Sequence, residues 1–407
     1  MESGVSYNLL SRETRTNPYD LYDELRSKDP VHRMRLLDAW LLTRYEDVDA
    51  VLRDHRRFSN AERNFVEAGR VTLLDLDPPD HTRLRSLVSR AFTPRAVSAL
   101  EPRSRQIAEG LLDQVEGRDR FDLIEALAFP MPVTVIAEMI GVPPEDMEQF
   151  KAWSNDIAVS VEPVISDEQV RRVDRATEEL YEYFDGIIAL HRSDPRDDLL
   201  SALLAAEEEG ERLTREELLA TLLLLLVAGN ETTRNLIGNG MLALLRNPDQ
   251  LSLLRDRPDL MDTAIDEFLR YDSPVQIDGR YVREDLEIGG KKIRAGQRVI
   301  SAIGAANRDP EAFTSPGSLD IGRREKSHIS FGRGIHHCLG APLALLEGRT
   351  AFTALLERFS SFRLLAEPEF RDQVVLRGVN ELWIEVERSP SPEDGLPLAH
   401  GRLAGDI

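Results

Sequence analysis

The chain has 407 residues, 42% of them hydrophobic, and a formal net charge of −21. So acidic a protein is a poor candidate for binding nucleic acid, because phosphate backbones are bound by basic surfaces. The single cysteine excludes an intrachain disulfide and fits a reducing compartment. The longest apolar run, 218–229, is shorter than the roughly 20 residues that span a bilayer. We therefore expect a cytoplasmic protein with no membrane anchor.

The N-terminal region predicts short helices, one hairpin and one long loop. Apolar residues at helical spacing predict a helix over 18–27, and two short strands, 31–34 and 40–43, predict a hairpin. Another helix begins at Asp47. Residues 58–74 show no regular period, so we interpret them as a long functional loop that could close over a substrate.

A helix is predicted to follow the prolines at 78 and 79, and it carries His81 and Arg85. These two side chains lie four residues apart and therefore share one face of the helix. The spacing fits a solvated basic face and a ligand-binding pair about equally well.

The segment 81–106 contains six arginines and a single acid, Glu101. In so acidic a chain this excess stands out. An ordinary charged surface and a docking site for an acidic electron-transfer partner both account for it. The following stretch, 121–201, has a helical pattern broken by prolines and offers no catalytic constellation.

A long helix is predicted to begin with the capping box 214–217. No proline follows until Pro248, so this helix can run for about 30 residues, or roughly 45 Å. Its apolar middle ends at Gly229, and Glu231 and Thr232 follow where a core would favour leucine. A helix kink with polar neighbours accounts for these residues at least as well as a functional site does.

The next helix carries Glu267 and Arg270, which are three residues apart and can pair on one face. Such pairs are common and indicate no function by themselves. Arg280 follows in a turn, where it can be a solvated arginine or a ligand-binding one.

Two hairpins are predicted in the C-terminal part of the chain. Strands 286–288 and 291–293 flank a Gly-Gly turn. Strands 374–376 and 382–386 suggest a second hairpin, with a tip near Asn380 that could touch a substrate.

The only cysteine lies in the glycine-rich segment 331–342. Gly332, Gly334 and Gly340 allow left-handed backbone angles or a flat approach to a planar partner. The pattern becomes helical after Gly340, so Cys338 should lie just before a helix N-terminus, where N–H groups and the dipole lower a thiol pKa. A thiolate held in this way is a good axial ligand for iron.

A lone cysteine is more often a small buried hydrophobe than a metal ligand, and a cysteine nucleophile would require a base and an oxyanion site. Zinc is disfavoured because His336, His337 and Cys338 are consecutive and cannot converge tetrahedrally on one ion. The complete string, Phe331-Gly-x-Gly-x-His336-x-Cys338-x-Gly340, resembles the haem-binding loop of the cytochrome P450 family, the haem-thiolate monooxygenases.

The resemblance covers roughly residues 18–386, with four motifs in the order of the family. It implies the cytochrome P450 haem-thiolate fold, mainly α with small β-sheets and with the long central helix over the haem. Residues 1–388 would form a single domain. Residues 389–407, rich in Pro, Gly and Ser, would form a flexible tail.

The resemblance also implies roles for individual residues. Cys338 would ligate the iron, and the other residues assigned to the cofactor are His81, Arg85, Arg280, Phe331, Gly332, His336 and Gly340. Of these, His81, Arg85 and Arg280 match the residues that hold the haem propionates; arginine suits this role because its planar fork meets a carboxylate with two hydrogen bonds.

The segment 228–233 resembles the oxygen-activation motif of the family. Thr232 would hold a water or the reacting oxygen by hydrogen bonds, and Glu231 would help to deliver protons. Glu267 and Arg270 resemble the Glu-x-x-Arg pair that braces the cysteine loop. Their usual third partner is missing because Ser318 stands where many members have arginine, so Arg308 and Arg323 both remain candidates.

The activity implied is the insertion of one oxygen atom from O2 into a hydrophobic small molecule, by hydroxylation or epoxidation. The cofactor would be haem b (iron protoporphyrin IX), and a ferredoxin with its reductase would supply electrons to a monomer. Two alternatives remain: a peroxide-using or non-oxidative haem-thiolate enzyme, against which the Glu231–Thr232 pair argues, and a non-catalytic haem sensor or carrier.

Overall fold

The computed structural model describes residues 8–61, 71–206, 212–325 and 327–389. Most of the predicted loop 58–74 and nearly all of the tail 389–407 lie outside the described residues. The described chain is mainly α-helical with small β-sheets, as the sequence predicts. None of its helices is long and apolar enough to cross a membrane.

The first six helices precede the mid-chain region, and the next four lead to the central helix. The helices are α1 Arg12–Thr16, α2 Tyr19–Lys28, α3 Tyr45–Arg53, α4 Asp80–Ala91, α5 Pro94–Ala99, α6 Glu101–Asp113, α7 Pro130–Ile140, α8 Met147–Ala158, α9 Asp167–Ser193, α10 Leu199–Ala205, α11 Arg215–Arg246, α12 Pro248–Asp256, α13 Met261–Tyr271, α14 Ile303–Ala306 and α15 Ala341–Arg358.

The strands form three small sheets. The strands are β1 Val31–Met34, β2 Ala39–Leu42, β3 Phe58–Ser59, β4 Arg120–Asp122, β5 Ile277–Val282, β6 Leu286–Ile288, β7 Lys291–Ile293, β8 Arg298–Ala302, β9 Phe359–Leu364 and β10 Trp383–Arg388. The largest sheet has the order β1-β2-β8-β5-β3, in which β2 and β8 are parallel, and the others are β4-β10-β9 and the hairpin β6-β7.

The second predicted hairpin is wrong. β10 pairs with β4 and β9, whereas Leu376 forms only an isolated bridge with Val275. Val374 is buried in the cluster around α2 instead. Alternating apolar residues indicate that a segment is extended but do not select its partner, because strand pairing is decided by contacts distant in sequence.

The central helix α11 has 32 residues and begins, as predicted, at the Thr214 cap, whose hydroxyl accepts from the N–H of Glu217. It is buried along most of its length and packs against α7, α13 and α15. Close approach is possible because Gly240 faces two aromatic rings: a Cβ there would lie 2.8 Å from Phe268 and 2.9 Å from Phe352. These contacts fix α15, and hence the loop before it, relative to α11.

Gly240→Ala should therefore destabilise the protein although alanine is the better helix former. The added methyl group overpacks the interface between α11, α13 and α15, at a cost of typically 1–3 kcal/mol, which exceeds the propensity gain of about 1 kcal/mol at most. Gly186→Ala in α9 is the matched control, since nothing lies within 4 Å of its Cβ position, and it should stabilise slightly. Denaturant unfolding of both variants tests this; a stabilising Gly240→Ala would contradict it.

Candidate functional site

The loop before α15 holds Cys338 in a fixed position. Gly332 and Gly334 adopt φ values of +68° and +67°, which residues with side chains rarely adopt. The N–H of Cys338 donates to the carbonyl of Phe331 at 2.8 Å. A Cβ on Gly334 would lie 2.7 Å from the carbonyl oxygen of Leu52. The loop is thus closed on itself and pressed against the end of α3.

The sulfur of Cys338 lies within the protein, yet the residue exposes surface to a neighbouring space. Burial raises the pKa of this thiol, while the N–H groups of Gly340 and Ala341 and the charge of Arg85 act in the opposite direction. Gly340 has φ −83°, so its backbone does not require glycine, and no atom lies within 4 Å of its Cβ position. The open space beside Gly340 leaves room for a flat group against the loop.

Two histidines meet beside the loop. The rings of His81, from α4, and His336 have centroids 4.3 Å apart. Both ring nitrogens of His81 and the Nε2 of His336 are buried without a hydrogen-bond partner among the described residues. Burial, reinforced by Arg85, lowers the pKa of His81 to about 4, and burial with Arg280 and His81 lowers the pKa of His336 to about 3. Both rings are therefore neutral donors at pH 7.

Two arginines complete this cluster. Arg85 donates to the carbonyl of His337 at 2.6 Å, and Arg280 of β5 is buried and paired with Asp278 at 2.6 Å. The predicted cofactor residues His81, Arg85, Arg280 and His336 therefore lie together around Cys338. Orphaned ring nitrogens beside guanidinium groups fit the carboxylates of a cofactor, and the exposed Cys338 fits its iron.

In α11 the polar residues after the apolar middle have defined partners. The hydroxyl of Thr232 donates to the carbonyl of Ala228 at 2.8 Å, and Ala228 is exposed although Leu226 and Val227 before it are buried. Glu231 is fully buried and ion-paired with Arg371 and, at 3.4 Å, with Arg234. The carboxylate predicted to deliver protons is therefore held by two arginines. Arg371 was not predicted, because it lies 140 residues away in a segment without periodicity.

The Glu267–Arg270 pair braces the end of α13. Arg270 donates twice to Glu267 at 2.7 Å, and also to the backbone carbonyls of Asn307, Pro316 and Ser318. Arg323 lies 3.1 Å from Glu267. Of the two candidates for third partner, the structure therefore supports Arg323. Arg308 instead donates to the Tyr271 carbonyl.

A carboxyl that the sequence analysis did not single out lies in α15. Glu347 is 1% exposed, and burial raises its pKa to about 8. A hydrogen bond from Thr233 of α11 acts in the opposite direction and lowers this pKa. It is the ninth residue after Cys338, and its neutral form is favoured in the folded protein. A charged residue in the middle of an apolar helix face was the available signal.

This raised pKa predicts how stability depends on pH. The folded state binds the Glu347 proton more tightly than the unfolded state, so the stabilisation is complete below about pH 4.5 and is lost as the pH rises towards 8. The free energy of unfolding of the wild type, relative to that of Glu347→Gln, should therefore be lower at pH 8 than at pH 5. Denaturant unfolding of the holoprotein at both pH values measures it. A difference that does not vary with pH would contradict the prediction.

The connection between α8 and α9 is attached to the C-terminal segment. The carboxylate of Glu162 accepts hydrogen bonds from the N–H groups of Val374, Val375 and Leu376 at 2.8–3.3 Å. Burial raises the pKa of this carboxyl. Glu162 therefore ties the connection between α8 and α9 to the residues that follow Arg371.

Comparison with known proteins agrees with this geometry. The cytochrome P450 family model matches residues 5–373. The chain is 42% identical over 391 residues to vitamin D(3) 25-hydroxylase of Pseudonocardia autotrophica, covering 92% of this chain and 95% of that one. It is 42% identical over 396 residues to the cytochrome P450 monooxygenase PikC of Streptomyces venezuelae, covering 93% of each. A solved structure of P450BioI with a fatty-acid-ligated acyl carrier protein matches with a TM-score of 0.88 and 39% identity, over 92% of this chain and 99% of that one.

The chain belongs to the cytochrome P450 family. It has the P450 fold, and it is a monooxygenase with a haem-thiolate iron cofactor that uses O2 and a redox partner.

Proposed function

We propose that this enzyme inserts one oxygen atom into a hydrophobic small molecule, with haem b ligated by Cys338 and electrons supplied by a ferredoxin and its reductase. The observation that carries the proposal is the exposed residue Cys338 in one cluster with nitrogens of His81 and His336 that are buried without a partner among the described residues. The haem that these residues would hold would supply the reduction of O2 and the oxidising power of the reaction. The single cysteine supports a cytoplasmic enzyme, in a compartment where it stays reduced.

The residues around Cys338 have separate tasks in this proposal. The N–H groups of Gly340 and Ala341 stabilise the thiolate. His81, Arg85, Arg280 and His336 hold the two propionates. Phe331, Gly332 and Gly340 shape the loop that lies against the porphyrin.

In α11, Thr232 would orient a water or the reacting oxygen, and Glu231 would supply the protons that pass to it. The Thr232 hydroxyl can serve in this way because its hydrogen atom is already committed to the Ala228 carbonyl, which leaves its lone pairs free to accept a hydrogen bond from a protonated partner. The apolar residues before Ala228 exclude bulk water from the substrate.

Thr232→Ala should uncouple electron consumption from product formation. Without the hydroxyl, no side chain at this position orients the proton donor towards the reacting oxygen. A larger share of the electrons from the reductant should then form hydrogen peroxide, and a smaller share should form product. Thr233→Ala, which removes the neighbouring hydroxyl that bonds Glu347, is the matched control and should leave the ratio of product to reductant near that of wild type. Unchanged coupling in Thr232→Ala would remove Thr232 from the proposal.

Reconstitution tests the activity as a whole. The purified holoprotein is supplied with ferredoxin, reductase, NADPH and a panel of hydrophobic compounds under ¹⁸O2. The proposal predicts one ¹⁸O atom per product molecule. Turnover with hydrogen peroxide but not with reduced ferredoxin would favour a peroxide-using enzyme, and haem reduction without consumption of any compound would favour a sensor.

Three of the six arginines of 81–106 are paired with carboxylates. Arg83 pairs with Glu217, Arg103 with Glu138 at 2.7 Å, and Arg105 with both Glu109 and Glu357. The charges of these three arginines are therefore compensated locally. The donor protein is therefore proposed from the family and not from this segment.

A further inference from the structure

A cleft away from the cysteine loop lies between α2, the N-terminal end of α3 and the segment 308–317. Its volume is about 520 Å³, within the range of about 300–1,000 Å³ that is typical of sites for small molecules. None of the residues that line it belongs to the cluster around Cys338. The cleft, here called the α2–α3 cleft, is therefore a candidate binding site separate from that of the cofactor.

Most of the charged side chains that line the α2–α3 cleft are held by other groups of the protein. Arg26 donates to the carbonyl of Ala305 at 2.8 Å and pairs with Asp23. The carboxylate of Asp309 accepts from the N–H of Tyr45 at 2.8 Å. The side chains of Arg26 and Asp309 are only 10% and 4% exposed. These two residues therefore form a fixed, charged base of the cleft.

Arg308 is held in a similar way. Its guanidinium group donates to the carbonyl of Tyr271 at 2.8 Å. The same group lies 3.5 Å from the centroid of the Tyr19 ring and 4.3 Å from that of the Tyr271 ring. Cations at such distances from aromatic faces are attracted by the rings. The charge of Arg308 is therefore engaged within the protein.

Two charged side chains of the lining differ from the others. The side chains of Arg44 and Glu311 form no hydrogen bond or ion pair with any residue in the described part of the chain. Arg44 is partly buried and Glu311 is exposed. Burial raises the pKa of Asp47, and the charge of Arg44 acts in the opposite direction, but no ion pair joins the two. The cleft therefore presents one unpaired charge of each sign.

We propose that the α2–α3 cleft binds an amino acid, whose carboxylate is held by Arg44 and whose ammonium group is held by Glu311. The planar guanidinium group of an arginine can meet a carboxylate with two hydrogen bonds, and an ammonium group donates to a carboxylate. The charged residues of the lining comprise three arginines and three acids. A ligand without net charge leaves this balance intact, and Pro310 and Pro316 offer apolar surface to its side chain.

A ligand in this cleft would join two elements that position the cysteine loop. The far end of α3 is pressed against Gly334 of the loop. On the opposite wall, Arg270 anchors the carbonyls of Pro316 and Ser318. Because a ligand that binds only the folded state stabilises it, the amino acid should raise the unfolding temperature of the holoprotein. Its role is that of a stabilising effector, and it is not a substrate.

The first test is a calorimetric titration of the holoprotein with each of the standard amino acids. At least one of them should bind. Its N-acetyl derivative, which lacks the ammonium group, and its amide, which lacks the carboxylate, should each bind about tenfold more weakly or worse. The proposal fails if no amino acid binds, or if either derivative binds as tightly as the amino acid. The titration requires no turnover, so its result is independent of the proposed monooxygenase activity.

The second test removes the two unpaired charges. Arg44→Gln should weaken binding about tenfold, and Glu311→Gln should weaken it less, because exposed charges contribute less. Both variants should lose the rise in unfolding temperature. Arg56→Gln and Glu287→Gln are the matched controls, since each removes an exposed charge outside the cleft, and both should bind as the wild type does. Wild-type affinity in Arg44→Gln, or a shift of the Soret band during the titration, would place the amino acid elsewhere and overturn the proposal.

Discussion

A Cys338→Ser enzyme is expected to lose monooxygenase turnover to background while it remains folded. The serine hydroxyl fits the loop, where the N–H groups of Gly340 and Ala341 now meet an oxygen. That oxygen stays protonated at neutral pH and cannot donate electron density to iron as a thiolate does. The thiolate signature in the optical spectrum should vanish with the activity, although the far-UV circular dichroism is unchanged.

Leu339→Met is the matched control for this substitution. It changes the adjacent, partly buried side chain of the same loop at nearly constant volume. Such substitutions usually lower stability by less than about 1.5 kcal/mol. The variant should therefore keep both the thiolate spectrum and the turnover. Since the chain has no other cysteine, no second thiol can replace Cys338. A serine variant that keeps the thiolate spectrum would exclude Cys338 as the iron ligand.

The second large effect is expected at Glu267. Glu267→Gln keeps the shape of the side chain but removes the carboxylate that pairs with Arg270 and Arg323. The site is buried, since Glu267 and Arg270 are each 2% exposed. Breaking a buried ion pair in this way costs about 3–5 kcal/mol. Because Arg270 also anchors the carbonyls of Asn307, Pro316 and Ser318, the loss should reach the segment that leads to the cysteine loop. The variant should therefore unfold at lower denaturant concentration and retain less haem.

Asp259→Asn tests whether the effect depends on burial. Asp259 makes the same bidentate contact with Arg257, at 2.8 and 2.7 Å, but both side chains are more than half exposed, and exposed pairs contribute little. Its unfolding midpoint should match wild type. Equal midpoints for Glu267→Gln and wild type would show that the pair does not brace the fold.

The sequence predicted the features that depend on residues close together in the chain, and it did not predict those that depend on residues far apart. The central helix was predicted closely, since its cap at Thr214 and the absence of proline are local signals. The loop around Cys338 was predicted from one short string for the same reason. The pairing of β10 with β4 and β9 was not, because no local pattern distinguishes one extended partner from another.

Side-chain interactions between segments distant in sequence were also not predicted. Glu231 was singled out as an acid after an apolar run, but its partner Arg371 lies 140 residues later in a loop. Arg323 could only be named beside Arg308, since their distances from Glu267 depend on how the segment 308–323 folds back.

The most direct test of the central claim is the carbon monoxide difference spectrum of the purified, reduced protein. Ligation of the haem iron by the Cys338 thiolate predicts a strongly red-shifted Soret band. An ordinary haem–carbon monoxide band would mean that the sulfur is protonated or displaced, and would contradict a thiolate-ligated oxygen-activating site.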